Sequence, residues 1–327
     1  MRTAIPLTVL ATALACSLAT APANARARVF VASYGNDENP CTFGSPCKTF
    51  QQAVNVVDAG GEVTAIDSAG FGPISISKSV TITSPDGIEA GVVPTAGGNA
   101  ITIAAGANDT VVLRGLTLNG SGIGFNGIAF NSGSGLTVSN CVVRNFAYDG
   151  STPTTGNGIL LTQNSGSIIL VVTNTTVSDN GNIGLYYLPQ SGGSIVPTRA
   201  TIDHVVVANN QYGIVIDASH VFANVTVAIS SSVANNNRNT GIAIGTGSQS
   251  SVRVSIDSTK TSNNSLYGIT AGGTAEVVLG RSVITNNSFG GIVNDTSPNT
   301  FYSYGNNEIN LNNPDINNPL NTAFILR

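Results

Sequence analysis

Ile202-Asp203-His204-Val205-Val206-Val207-Ala208-Asn209-Asn210-Gln211-Tyr212-Gly213-Ile214 holds two phrases that much of the chain repeats. Counted from Ile202, the residues three and five places on are apolar and the seventh is Asn209. The same spacing, apolar or small at three and five, starts again from Leu113, Val138, Val172, Ile229, Ile256 and Leu279. It brings Gly120, Asn145, Asp179, Asn236, Asn263 and Asn286 to the seventh place. The second phrase, Gly213-Ile214, returns as Gly127-Ile128, Gly158-Ile159, Gly184-Leu185, Gly241-Ile242, Gly268-Ile269 and Gly291-Ile292, in steps of 23 to 31 residues. A period in the twenties with a nearly unbroken asparagine column is the mark of stacked repeats.

Each copy carries short runs of β-forming residues separated by Gly, Asn and Ser, too short for helices. Stacking each run on its equivalent one copy away, about 4.8 Å along an axis, gives coils whose like residues form columns. About nine coils make a rod on the order of 43 Å long at that spacing. The expected fold is all-β: a single-stranded, right-handed parallel β-helix. Leu118, Val143, Val177, Val207, Ala234, Thr261 and Ile284 form one inward column. Leu116, Cys141, Thr175, Val205, Ser232, Thr259 and Ser282 form a second. Asparagine columns are expected to link neighbouring coils at the turns, each bond contributing about 1 kcal/mol net.

Residues 1–25 read as an export signal: Arg2 precedes a mostly apolar run from Ile5 to Ala15, and Ala23-Asn24-Ala25 is a small-x-small cleavage site. That run is too short to span a bilayer, and no later apolar stretch approaches about 20 residues, so no membrane span is expected. Residues 26–62 form an N-terminal strand and a capping helix. Val29-Phe30-Val31 is the strand, and Thr49 to Val57 places Phe50, Ala53, Val54 and Val57 on one helical face, stopped by Gly60-Gly61. A solenoid needs such a cover over its first coil, which otherwise leaves strand edges unpaired. Residues 63–293 are the β-helix itself. Residues 294–327, rich in Asn and Pro, read as a last irregular coil and a tail, whose Ala323-Phe324-Ile325-Leu326 folds back as a plug or docks on another subunit.

Gly35-Asn36-Asp37, Pro46-x-Lys48-Thr49-Phe50-x-x-Ala53-Val54 and Gly60-Gly61-x-Val63 resemble the opening of pectin-lyase-like right-handed β-helix proteins. Gly70-Phe71-Gly72, Ile74-x-Ile76 and Val80-Thr81-Ile82 are similar to that family's first turn. The resemblance covers essentially all of the chain after the signal. It implies a helix capping the barrel and, where a member is an enzyme, work on the outer face of the strand that the Gly-Ile phrase forms. The superfamily holds lyases, hydrolases, esterases, epimerases and many inert members, so it implies a fold more than an activity.

The chain has 13 Lys and Arg against 17 Asp and Glu, a net charge of −4, and charged residues make up only 9 % of it. With no basic stripe, nucleic acid is not an expected partner. Cys41 and Cys47 are expected to pair in an exported chain. Cys141, in an inward column, reads as a buried free thiol. No cofactor and no metal site are expected.

The residues outward of the Gly-Ile phrase are Ala129, Leu160, Tyr186, Val215, Ala243, Thr270 and Val293, with no carboxylate, base or Arg. A column this apolar is covered by a loop or is a contact surface. The next outward set contains Asp217 and Asp295, three coils and on the order of 14 Å apart, beyond the roughly 9.5 Å limit for a glycosidase pair. Ile202-Asp203-His204 resembles the Trp-Ile-Asp-His phrase of pectate lyases, with Thr201 in the place of Trp. Asp203 shares a column with Ser230 and Asp257, which makes Asp203, His204 and Asp257 the candidate catalytic groups, their carboxylates about 9.6 Å apart. The competing reading makes them solvated ladder residues. For ligand binding the candidates are Tyr186, Tyr212 and Tyr267, the last two at one corner two coils apart; the alternative is corner aromatics packing on neighbouring backbone.

These observations support an exported, secreted, periplasmic or cell-surface β-helix that binds a surface partner or polysaccharide without turnover. Two alternatives stay open. One is a carbohydrate-active enzyme, a polyuronate lyase or glycoside hydrolase. The other is a structural assembly protein that oligomerises through the apolar outer column.

Overall fold

The computed structural model describes residues 26–163, 166–189, 196–219, 223–247, 250–297 and 299–322. The expected export signal at residues 1–25 and the apolar segment at residues 323–326 lie outside them. Within them the chain winds into three sheets of twelve, ten and ten strands, and every pairing between strands is parallel. The twelve-stranded sheet holds the residues from which the spacing was counted, with Leu113, Val138, Val172, Ile202, Ile229, Ile256 and Leu279 in one register. One ten-stranded sheet follows it with short strands such as Val206–Ala208 and Lys260–Ser262. The other carries the Gly-Ile phrases and is called here the glycine sheet.

Both inward columns are buried along their whole length, from Leu118 and Leu116 at one end to Ile284 and Ser282 at the other. Where a hydroxyl stands among the members of the second column it satisfies backbone. Ser232 Oγ accepts the Val205 N–H at 3.1 Å and donates to the Ser230 carbonyl at 2.7 Å. Thr175 and Ser282 repeat the arrangement toward Cys141 and Thr259. In that column polar residues enter the core without leaving a donor unpaired, whereas in the other column the buried Thr261 hydroxyl has no hydrogen-bond partner among the described residues.

The asparagine ladder exists: the seventh-place column links Asn209 Nδ2 to Asp179 Oδ1 at 3.0 Å, and the continuous run lies one residue later. Asn145, Asp179, Asn209, Asn236, Asn263 and Asn286 share one corner and a left-handed backbone, with φ between 54° and 62°. Among non-glycine residues, Asn and Asp tolerate that conformation best. The turn it makes aims the next side chain inward, so Asn180, Asn210, Asn237, Asn264 and Asn287 are buried. Their amides run coil to coil, with Nδ2 to Oδ1 distances of 2.9, 3.4, 3.0, 2.8 and 2.9 Å, the last reaching Asn312. The ladder also explains the glycines. A Cβ at Gly213 would stand 2.3 Å from the Gly241 carbonyl oxygen and 3.0 Å from the Asn237 amide. A side chain there has no room.

The N-terminal cover forms as the sequence implies. Helix Phe50–Val56 is capped by Thr49, whose hydroxyl accepts from the Gln52 N–H, and it buries Phe50, Ala53 and Val54. Asp37 receives the N–H groups of Lys48 and Thr49 at 2.8 and 2.9 Å, and Cys41 is bonded to Cys47. Cys141 is buried and free, and burial pushes its thiol up to about 11. At the other end the coils run on past Asn294. Phe301–Ser303, Glu308–Asn310 and Ile316–Asn317 each pair in register with the coil before. The Asn-rich sequence there supports regular coiling because Asn307, Asn312 and Asn318 bond to backbone carbonyls of the preceding coil.

Candidate functional site

Asp203, Ser230 and Asp257 occupy one column at the edge of the twelve-stranded sheet. Each carboxylate is committed to neighbours. Asp203 accepts from Ser230 Oγ at 2.7 Å and meets His204 Nδ1 at 2.7 Å. These hydrogen bonds, Ser230 first, hold its pKa below the ordinary carboxylate value. Asp257 accepts from Arg281 Nε at 2.9 Å and from Ser258 Oγ at 3.1 Å, and the Arg281 bond lowers its pKa. His204 itself occupies a second left-handed corner, with φ 53°, in the same column as Asn174, Ser231 and Ser258. The Ile-Asp-His phrase is thus one member of a turn column, closed by local hydrogen bonds.

The outer face of the glycine sheet is different. Ala129, Leu160, Tyr186, Val215, Ala243, Thr270 and Val293 align in register as a single outward column. Its first members are covered: Ala129 and Leu160 are each 3 % exposed and Tyr186 is 7 % exposed. Leu160, Ile183 and Tyr186 form an apolar cluster separate from the barrel core, with Leu188, Tyr212 and Val215 against it. Of the adjacent tyrosines, Tyr187 turns inward and meets Thr198 Oγ1 at 2.7 Å, while Tyr186 turns out.

Beside this cluster lies a hollow of about 370 Å³ lined by Tyr148, Pro153, Asn182, Ile183, Tyr186, Gln211, Tyr212, Val215 and Ala243. One wall comes from residues 147–156, the loop between strands Val142–Arg144 and Asn157–Leu161. That loop is a built feature. Asp149 accepts from the N–H groups of Thr152 and Ser151, which hold its carboxyl well below the usual range. The amides of Asn126, Asn157 and Asn182 donate to the carbonyls of Thr154, Pro153 and, for Asn182, both Pro153 and Thr155, at 2.9 to 3.1 Å. Tyr212 is held in turn by Asn239, whose Nδ2 donates to its hydroxyl at 2.7 Å. Burial, with the Asp217 charge second, pushes the Tyr186 hydroxyl up to about 12.

Two of the three candidate tyrosines, Tyr186 and Tyr212, meet in this hollow. Tyr267 lies two coils on, over Gly290, and does not line it. Asp203, His204 and Asp257 do not line it either.

Residues 78–255 match the family model described as the right handed beta helix region. The chain belongs to the right-handed β-helix family. Among solved structures it is similar to the crystal structure of pectate lyase Pel9A, at 14 % identity and a TM-score of 0.55. That alignment covers 86 % of this chain and 72 % of the other. The periplasmic alginate epimerase AlgG aligns at 11 % identity and a TM-score of 0.39, over 72 % of this chain and 71 % of the other. No curated protein matches the sequence.

Tyr148, Pro153, Asn182 and Gln211 were missed as wall residues from sequence alone. A signal existed: the step from Gly127 to Gly158 is the longest between repeat glycines, and the extra residues form the loop. Nothing in the periodicity tells which face an insertion folds over.

Proposed function

We propose that this protein is an exported, non-catalytic right-handed β-helix that binds a polysaccharide in the hollow on the outer face of the glycine sheet. The observation that carries the reading is the convergence of Tyr148, Tyr186 and Tyr212 on one concave site with the amides of Asn182 and Gln211 among its lining groups. Aromatic faces pack against the apolar faces of sugar rings, and amides serve the hydroxyls at the ring edge. The wall loop and Tyr212 are held by the chain's own hydrogen bonds, so little ordering cost falls on binding. Export is supported by the N-terminal signal pattern and by the Cys41–Cys47 bond, since disulfides persist in oxidising compartments.

Affinity electrophoresis and calorimetry of the chain from Arg26 against a panel of plant, algal and bacterial polysaccharides test the reading. Retardation by a glycan that is lost in Tyr212→Ala, with no change in the glycan's chain length after incubation, is the expected result. Cleavage or epimerisation of the bound glycan, abolished by Asp203→Asn or Asp257→Asn, would replace binding with catalysis.

A further inference from the structure

The glycine sheet differs from the other two in charge. Its ten strands contain no Lys or Arg, and their charged residues are Asp217 and Asp295 alone. The twelve-stranded sheet, by contrast, carries Arg28, Arg114, Arg199 and Arg253, and the third sheet carries Arg144 and Lys260. Asp217 sits two residues beyond Val215, a lining residue, on strand Tyr212–Ala218 and so on the same outward face. Its Oδ1 accepts from the N–H and hydroxyl of Ser219, and no hydrogen bond to Oδ2 occurs among the described residues. Asp217 does not line the hollow itself, and Gly245, which stands beside it on the next coil, places no side chain against its carboxylate. Burial first and the Asp217 charge second raise the Tyr186 hydroxyl, in keeping with a carboxylate on the same outward face. Arg238, on the turn that follows Asn237, is exposed and is not a lining residue.

We infer that the hollow discriminates by charge: it takes glycan units without acidic groups and rejects polyuronates. A uronate ring stacked on Tyr186 and Tyr212 would bring its carboxylate toward Asp217 with no cation in the sheet to receive it. Such like-charge juxtaposition is how a site excludes a ligand whose shape it otherwise accepts. The inference rests on the glycan-binding reading above and specifies its ligand class.

The test is the affinity of the chain from Arg26 for a neutral β-glucan, chitosan oligosaccharides and polygalacturonate, each in 10 mM and 500 mM NaCl. At low salt the tighter of the first two is expected to bind at least tenfold more strongly than polygalacturonate. The gap should narrow several-fold at high salt, where like-charge repulsion is screened, and likewise in Asp217→Asn at low salt. Polygalacturonate binding that equals or exceeds both others and is lost in Tyr212→Ala overturns the inference but leaves glycan binding standing. Polygalacturonate binding lost in Arg238→Gln also overturns it. A gap unmoved by both salt and Asp217→Asn removes charge as its cause. Failure of every glycan on the wider panel to bind instead removes the reading beneath it.

Discussion

Asn237 and Asn264 are joined twice through one oxygen: the backbone N–H and the side-chain Nδ2 of Asn237 both donate to Asn264 Oδ1, each at 3.0 Å. Asn237 offers its own Oδ1 to the N–H of Asn210 at 3.1 Å. Asn237→Ala therefore orphans the buried Asn210 N–H on the coil before and removes one of the two donors to Asn264 Oδ1 on the coil after. A loss of about 1–3 kcal/mol is expected, read from urea denaturation. A change below about 0.5 kcal/mol would mean that the ladder contributes nothing beyond packing.

Gly213 and Gly245 lie on adjacent strands and predict opposite outcomes. A Cβ at Gly213 meets the Gly241 carbonyl oxygen at 2.3 Å, whereas at Gly245 the nearest atom is Asp217 Oδ1 at 4.0 Å. Gly213→Ala should destabilise by about 1–3 kcal/mol or prevent folding, because backbone must move. Gly245→Ala should stay within about 0.5 kcal/mol of the parent. Thermal melts of the two variants side by side decide it.

Asp257 has its pKa lowered in the folded chain by Arg281. A carboxylate with a depressed folded pKa stabilises the protein above its unfolded value, near 3.9, and that contribution is lost as pH falls through the folded value. The pair is largely exposed, so Asp257→Asn is expected to cost less than about 1 kcal/mol at pH 7. The difference should vanish near pH 2. A cost that persists undiminished in acid would show that the carboxylate's charge is not what stabilises this corner.

Tyr212→Ala is expected to weaken glycan binding by about 0.5–1.5 kcal/mol, the usual contribution of an aromatic contact. Tyr267→Ala, two coils on and outside the hollow, should leave affinity unchanged. Equal losses at both positions in calorimetric titrations would argue for a binding face spread along the corner and against the hollow.

Cys141 should resist a thiol reagent at pH 8 in the native protein, because burial keeps the thiol protonated and inaccessible. It should react stoichiometrically in denaturant without prior reduction. Rapid native labelling of Cys141 would show that the coil around it opens.

The coils were legible because each depends on residues that recur at a fixed distance along the chain. Val207, Ala234 and Thr261 fall in one column for the same reason that Asn209, Asn236 and Asn263 do: every coil repeats the backbone path of the last. The continuous run of the ladder was not legible because a periodic sequence such as Asn209-Asn210 does not say which of two neighbours turns the chain and which points inward. The left-handed φ at Asn209 makes that choice.

By itself the sequence determined the stacked parallel coils, the capping helix, the Cys41–Cys47 pair and the outward column from Ala129 to Val293, since all of these follow from local spacing. Only the tertiary structure decided that residues 147–156 fold over that column and bring Tyr148 to Tyr186 and Tyr212. It also decided that Asp203 and Asp257 are occupied by Ser230 and Arg281. A loop's direction and a side chain's partner depend on groups a whole coil away, and repeat length does not record them.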